Sequence, residues 1–578
     1  MWKRKQILST LLVAAMVSSM LAGCGQTGEK PVEKSESQSS AVGSAESKQP
    51  ESSAEESKAE EPESTRISEE TITLTVAGVS LTDWNETIQF QEYEKRLGIK
   101  LDATVYGQEQ WDSKLTLMLA ADEMPDLIAN AGMTLQGVIE YGGEGYFLDF
   151  SEYLDIMPNL SRILEEYPDY ASSIICPDGG IYAFPSLNLT CGSNRIQSVY
   201  LNKKWMDNLG LKEPETLDEL YDVLLAFKEK DADGDGDTED EVAFGWTPQW
   251  FTCESPILWA HGIYGNYVVY NLMANESGEV VLGDTTDNYK DFLKYMKKLY
   301  DAGIMTEDAF VIGVEDRRAQ WNDLHVGMLG TSGNVPGAVE DRAQWIAVPG
   351  YTSEYVSDRV IVENSQIGTK YILAANSATE YPEEIAKFVD YLFSEEGAIS
   401  ASNGYEGVSF DYIDFFGTDS IDHKNYAFKS GYDESNWGMY RQEKVVAVNG
   451  FNVCLVGKGS AVSVYDKYPG DALTADPEFY QALLEQIGTG VLREVAYRNA
   501  DEVISVYPTV YYTEDETTER ETILADVHNY LRSAKAQFIT GELDIDKDWN
   551  AHLDTLKKMG LDRLLEIEQT AYTRFISK

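Results

Sequence analysis

An α/β protein of two lobes is what these 578 residues predict, on three observations. One hydrophobic core rarely grows to this length, so the chain is expected to divide. A hydrophobic content of 43%, with 11% aromatic residues, supports packing over most of it. From Thr71 onward, segments of period two alternate with helical ones, an order that implies parallel strands joined by right-handed crossovers. No repeat of fixed period is present.

The first element is a targeting segment. Met1 to Lys5 is cationic, and Ile7 to Met20 is mostly apolar but short for a membrane-spanning helix. Leu21-Ala22-Gly23-Cys24 then looks like a bacterial lipobox, with Cys24 as the lipidated (palmitate-bearing) mature N-terminus after removal of residues 1–23. Residues 24–70 read as a disordered acidic tether of Ser, Glu, Lys, Pro and Gln, too poor in apolar side chains to offset chain entropy. No later segment reads as transmembrane, so the expected location is the extracellular face of the cell membrane, held by lipid alone.

Folded structure is expected to begin at TITLTVAG, Thr71 to Gly78, where Ile72, Leu74 and Val76 alternate with threonines. A loop with Asp83-Trp84-Asn85 follows, then a helix over Ile88–Leu97 and a strand over Ile99–Tyr106. Trp111 to Ala121 reads as a helix with Leu115, Leu117, Met118 and Leu119 on a buried surface, and Pro125 to Asn130 as a short buried strand. Further on, Thr216 and Glu219 form a capping box ahead of Leu217, Leu220, Val223, Leu224 and Phe227, one apolar helix face.

That helix runs into DADGDGDTEDE, Asp231 to Glu241, with seven acidic side chains in eleven residues. A solvated loop, a calcium sensor and a structural calcium clip all fit such a run. Carboxylates crowded at a helix C-terminus repel one another and the helix dipole unless a cation joins them, and hard oxygen ligands select calcium. Asp231, Asp233 and Asp235 occupy positions 1, 3 and 5, Gly236 the sharp turn, and Asp237 can supply its carbonyl. Position 12, where an EF-hand closes with Glu, is Val242, the start of the strand VAFGW. With no exiting helix and no second loop, the reading is a structural clip.

A formal net charge of −52 argues against nucleic-acid binding and suits a neutral or cationic ligand and divalent ions. Cys176, Cys191, Cys253 and Cys454 form no CxxC pair; Cys176 and Cys191 could bridge a loop or all could be buried thiols. The histidines 261, 325, 423, 528 and 552 are scattered with no HExxH pair, and each reads as a surface or satisfied core residue.

Six stretches, in order, resemble extracellular solute-binding protein family 1, the branch of bacterial ABC-transporter lipoproteins that includes maltose- and oligosaccharide-binding proteins. They are EYEKRLGIKLDATVY from Glu92, KLTLMLAADEMPDLIA from Lys114, DGGIYAFP from Asp178, LHVGMLGTSG from Leu324, PEEIAKFVDYLFSEEG from Pro382 and KKMGLDRLLEIEQTAY from Lys557. The resemblance implies a periplasmic-binding-protein-like fold, two α/β lobes joined by a multi-strand hinge with a ligand cleft between them. Carried onto this chain, lobe one is 71–190 plus 368–416, lobe two 195–366 plus 445–578, and 417–444 a crossing segment. The family's acidic loop is shorter, with acids at positions that are Glu239 and Asp240 here, which implies the calcium set Asp231, Asp233, Asp235, Asp237, Glu239 and Asp240.

Sugar clefts pair aromatic faces with polar groups. Candidate contacts in loops after strands or at helix ends are Trp84, Asn130, Trp250, Trp259, Tyr405, Glu406 and Trp437. The function implied is a non-catalytic, monomeric receptor that captures an oligosaccharide or related carbohydrate by lobe closure and delivers it to ABC permease subunits. A secreted glycan-active enzyme, which would need two opposed carboxylates in one cleft, and a glycan-binding adhesin without transport remain the alternatives.

Overall fold

The computed structural model describes residues 66–577 except 122, 191, 197, 248–252, 266–269, 276, 331–334, 336–338, 415–423, 429–440, 448, 457–473, 476, 478–479, 482, 485–488 and 511. No helix among the described residues is long and apolar enough to cross a membrane.

The strands, in chain order, are β1 (Ile72–Val79), β2 (Ile99–Tyr106), β3 (Leu127–Met133), β4 (Ala183–Leu189), β5 (Val199–Asn202), β6 (Val242–Phe244), β7 (Leu272–Ala274), β8 (Val280–Leu282), β9 (Val326–Gly330), β10 (Trp345–Ala347), β11 (Val360–Glu363), β12 (Ile367–Ala375), β13 (Phe410–Asp414), β14 (Lys424–Phe428), β15 (Cys454–Val456) and β16 (Glu502–Ser505). Two sheets carry the architecture. The first has the order β15-β4-β12-β3-β1-β2, the second β10-β5-β9-β6.

In the first sheet β2 and β3 both run parallel to β1, in register Ile72↔Ile99 and Val76↔Leu127. The alternating strand and helix segments require this, because each helix carries the chain back to start the next strand. Helix Ile88–Leu97 begins where the Thr87 side chain accepts from Phe90 N and ends at Gly98, whose φ of 74° allows a left-handed cap. Leu74, Val76, Ile99, Leu101, Leu127, Phe184 and Leu373 share one core with Phe388 and Val389 of helix Pro382–Leu392. Helix Gln108–Ala121 buries Trp111, Leu115 and Leu119, but Leu117 is 61% exposed. Residues 115, 117 and 119 cannot all share a face at 3.6 residues per turn, which corrects the expected buried row.

In the second sheet β5 is antiparallel to β9 and β10, and β6 is parallel to β9. Helix Leu217–Glu229 forms with the expected capping box and buries the expected Leu217, Leu220, Val223, Leu224 and Phe227. Three C-terminal helices, Glu514–Thr540, Ile545–Lys558 and Leu561–Ile576, complete this half. Lys535 reaches from the first of them to Glu254 at 3.0 Å, both side chains buried. Glu568, fully buried, accepts from Tyr270 (2.9 Å), Tyr512 (2.6 Å) and Arg520 (2.8 Å), so its charge is met from three segments.

The chain leaves the first sheet between β4 and β5 and re-enters it between β11, which pairs with β16 and shares a core with Tyr200 and Trp345, and β12. The two passages lie side by side, since Asn188 N donates to Gln366 O and Ile196 bridges Glu363. The third passage differs from the expected 417–444. Ala447, Phe451, Val453 and Cys454 pack in the first core, and β15 pairs with β4 through Cys454↔Leu187. The chain is therefore with the first sheet at β15, and the next buried residues among those described, Leu483 and Leu484, belong to a core with Tyr200, Trp345 and Val362. Segment 445–456, expected in lobe two, is part of lobe one because its apolar side chains fill the space under helix Ile88–Leu97, where Gln89 also accepts from Ala447 N.

Candidate functional site

The acidic loop is shaped by its own side chains. Asp231 accepts from Gly234 N, Asp233 from Asp235 N, Asp235 from Asp237 N and Asp237 from Glu239 N, all within 3.0 Å. Gly234 and Gly236 turn with φ of 86° and 99°, a conformation glycine adopts without strain. Carboxylate oxygens of Asp231, Asp233 and Asp235 converge within 4.8 Å of one another, as do ligand atoms of Asp233, Asp240 and His325. His325 Nδ1 lies 3.0 Å from Asp240 and 3.5 Å from Asp233. The pairing Val242↔Val326 sets the residues before each strand, Glu241 and His325, at one end of the sheet.

Two buried oxygens there, Asp240 Oδ1 and Glu241 Oε2, have no hydrogen-bond partner among the described residues. Burial raises the Asp240 carboxyl above its usual range; His325 opposes this, and Asp235, Asp233 and Asp237 add repulsion. Burial likewise raises Glu241, against a hydrogen bond from Ala232 N at 2.8 Å. Crowded carboxylates with idle oxygens fit a hard divalent cation. The loop sits at the end of the second sheet away from the inter-sheet passages, since β5 begins at Val199 opposite Gly330, the last residue of β9.

At the other end, strand direction defines a second region. β3 ends at Met133 beside Tyr371, near the start of β12, so β1, β2 and β3 point their carboxyl ends toward the passages. β6 and β9 do so from the second sheet. Open α/β sheets bind ligands at such ends. The passages are locked together there. Arg195 Nη2 contacts both Glu363 carboxylate oxygens, Arg195 Nη1 donates to Thr190 O, and Tyr497 OH donates to Glu363 at 3.1 Å. Asn130, with φ of 50°, donates from Nδ2 to Val79 O at 2.8 Å and joins the ends of β1 and β3.

The model of the bacterial extracellular solute-binding protein family matches residues 80–399. The chain belongs to that family. The chain is similar to the fructooligosaccharide ABC transporter substrate-binding protein FusA of Streptococcus pneumoniae serotype 4, 26% identical over 511 residues, 86% of this chain and 88% of the relative. Lipoprotein LipO of Bacillus subtilis is 26% identical over 492 residues, 82% of this chain and 86% of its own. Among solved structures, the Streptococcus pneumoniae FusA EF-hand mutant in complex with fructo-nystose aligns with a TM-score of 0.65 at 23% identity, over 88% of this chain and all of that one. The fold is the two-lobe α/β arrangement of periplasmic binding proteins.

In a solute-binding protein of this fold, accessible side chains at the lobe boundary are those able to meet ligand. Asn130 is half-buried there, and Glu406 is exposed after helix Glu395–Asn403. Trp84, Trp259 and Tyr405 are each 3% exposed or less and offer no open face, which corrects their expected role. Trp84 lies against Gly78 and Gly450 beside Phe451. Trp259 donates to Gly265 O, and Tyr405 is packed by Tyr93 and the Arg96 guanidinium. Cys24, Trp250 and Trp437 lie outside the described residues. No sequence pattern marks Arg195, Glu363 and Tyr497, which meet only through folding. His325 was detectable only by pairing LHVG with VAFG as neighbouring strands.

Proposed function

We propose that this chain is the solute-capturing subunit of a carbohydrate ABC importer, binding an oligosaccharide between its lobes and presenting the closed form to the permease. The observation that carries the reading is the convergence of strand carboxyl ends from both sheets on one boundary spanned by adjacent chain passages. Family membership supports a binding role, and FusA, a fructooligosaccharide-binding relative over most of its length, supports the carbohydrate class. Ligand contacts are assigned to Asn130, Glu406, Trp250 and Trp437, with lobe one as 71–190 plus 368–456 and lobe two as the remaining folded chain. Nothing in this reading requires the protein to transform its ligand.

Asp231, Asp233, Asp235, Asp237, Glu239 and Asp240 are assigned to a structural calcium ion, supported by the convergent carboxylates and by the EF-hand named for FusA. Asp237 contributes through its carbonyl. Calcium would neutralise the loop and fasten helix Leu217–Glu229 to β6. Cys24 is assigned as the lipid attachment point on the outer face of the membrane.

A thermal-shift screen with fructo-, xylo-, malto- and manno-oligosaccharides tests the main reading. One class should raise the melting temperature and be recovered unchanged. No shift across the panel, or conversion of the active sugar into products, refutes it.

A further inference from the structure

Apart from the lobe boundary, the second lobe carries a hollow of about 610 Å3 between the start of helix Leu217–Glu229, helix Asp287–Asp301 and the loop after β10. Its lining includes His261, Asp291, Lys294, Tyr295, Glu354 and Tyr355. None of these belongs to the metal loop or to the locked passages.

His261 is 3% exposed, and its Nδ1 lies 2.7 Å from Ile257 O. A carbonyl oxygen only accepts, so Nδ1 carries the proton and Nε2 of the neutral ring is an acceptor. Burial holds the imidazole below its usual range, against Asp291 and Glu354, which keeps that neutral form. No described residue bonds Nε2. Nε2 is thus left as the ring's acceptor for a hydroxyl donor entering the hollow that His261 lines.

The aromatic walls are fixed in advance. Tyr355 OH donates to Asp291 at 2.6 Å, Lys294 donates to the other Asp291 oxygen at 3.0 Å, and Tyr295 OH donates to Leu217 O at 2.7 Å. The Tyr355 ring also lies 5.3 Å from the His261 ring. With their hydroxyls committed, both tyrosines offer rigid rings, and rigid walls lower the entropy lost on binding. The charged lining is Asp218, Asp291 and Glu354 against Lys294 and Lys298, a slight negative excess that disfavours an anion. Aromatic rings, a lone acceptor and mixed donors and acceptors without net positive charge fit the hydroxyl groups and apolar faces of a neutral sugar.

We propose that this hollow is a second glycan site, which holds a neutral polysaccharide on the outside of the lobe independently of capture between the lobes.

The test is native affinity electrophoresis of the full chain in gels carrying inulin, xylan, pullulan or polygalacturonate. At least one neutral polymer should retard the wild type and polygalacturonate should not. His261→Phe, which removes the acceptor but keeps an aromatic ring, should abolish most of that retardation. So should Glu354→Trp, which fills the hollow from an exposed position. Should His261→Phe fold poorly, Glu354→Trp decides alone. No retardation by any neutral polymer, equal retardation of the Glu354→Trp variant, or retention by polygalacturonate alone overturns the proposal. Capture between the lobes is read separately, from the oligosaccharide thermal shift of Glu354→Trp: its loss in wild type and variant alike would sink the transport reading while leaving polymer retention to judge this one.

Discussion

Arg195 and Glu363 tie two separate passages of the chain together, with Nη2 at 3.3 and 3.2 Å from the two carboxylate oxygens and side chains only 9% and 15% exposed. Nearly buried charges are costly to strand singly. Arg195→Ala should therefore destabilise the protein by about 2–4 kcal/mol, measured by urea unfolding. Tyr497→Phe, which removes one hydrogen bond to the same carboxylate, should cost about 1 kcal/mol. If Arg195→Ala unfolds at the wild-type midpoint, the pair does not fasten the passages.

The metal loop predicts a second outcome. Chelator should lower the melting temperature and calcium should restore it, with a gain of about 2.7 kcal/mol when calcium stands a hundredfold above its dissociation constant. Asp233→Asn should blunt the response, since Asp233 belongs to both converging groups of ligand atoms. Superimposable melts in chelator and calcium would leave the acids as a solvated loop.

His552 gives a pH dependence of definite sign. It is 4% exposed, stacked on Tyr530 at 5.4 Å and beside Trp549 and Phe538, and burial pushes its pKa from 6.5 down to about 4. The unfolded chain then takes up a proton near pH 6.5 that the folded chain refuses until about pH 4. Stability is intact above pH 6.5, falls between 6.5 and 4, and loses about 3 kcal/mol from this group in all. His552→Phe should flatten that part of the profile. An unchanged slope in the variant would assign it to other groups.

Gly78→Ala should be destabilising by about 1–3 kcal/mol, because a Cβ there would stand 2.4 Å from Ala129 O and 2.6 Å from the Trp84 ring. Adding Trp84→Leu should relieve part of the cost if the ring is the obstacle, and none of it if the Ala129 carbonyl is. A double-mutant cycle on melting temperature separates the two.

Much of the fold was legible because it is written in local pattern. The alternation of Ile72, Leu74 and Val76, the capping box at Thr216 and the glycine-punctuated acids after Asp231 each specify their own backbone. The third passage was not, because Ala447, Phe451 and Val453 read equally well as filling for either core and only pairing of β15 with β4 decides. Trp84, Trp259 and Tyr405 failed as ligand candidates for a related reason. A tryptophan after a strand looks the same in sequence whether it faces solvent or, like Trp84, packs its ring against glycines from two distant segments, Gly78 and Gly450. His325 and Asp240 stand 85 positions apart, and no spacing rule joins them.

The return of residues 445–456 to the first sheet, beside β4, bears on how such receptors can change. Neither lobe is one continuous stretch of chain, so recombination between genes at a single point would splice half a lobe onto a foreign half and leave mismatched cores. Exchanging a whole lobe would need simultaneous junctions at every passage. New ligand preferences in this architecture are thus expected to arise by substitution in the loops at the strand ends, with the lobes inherited together.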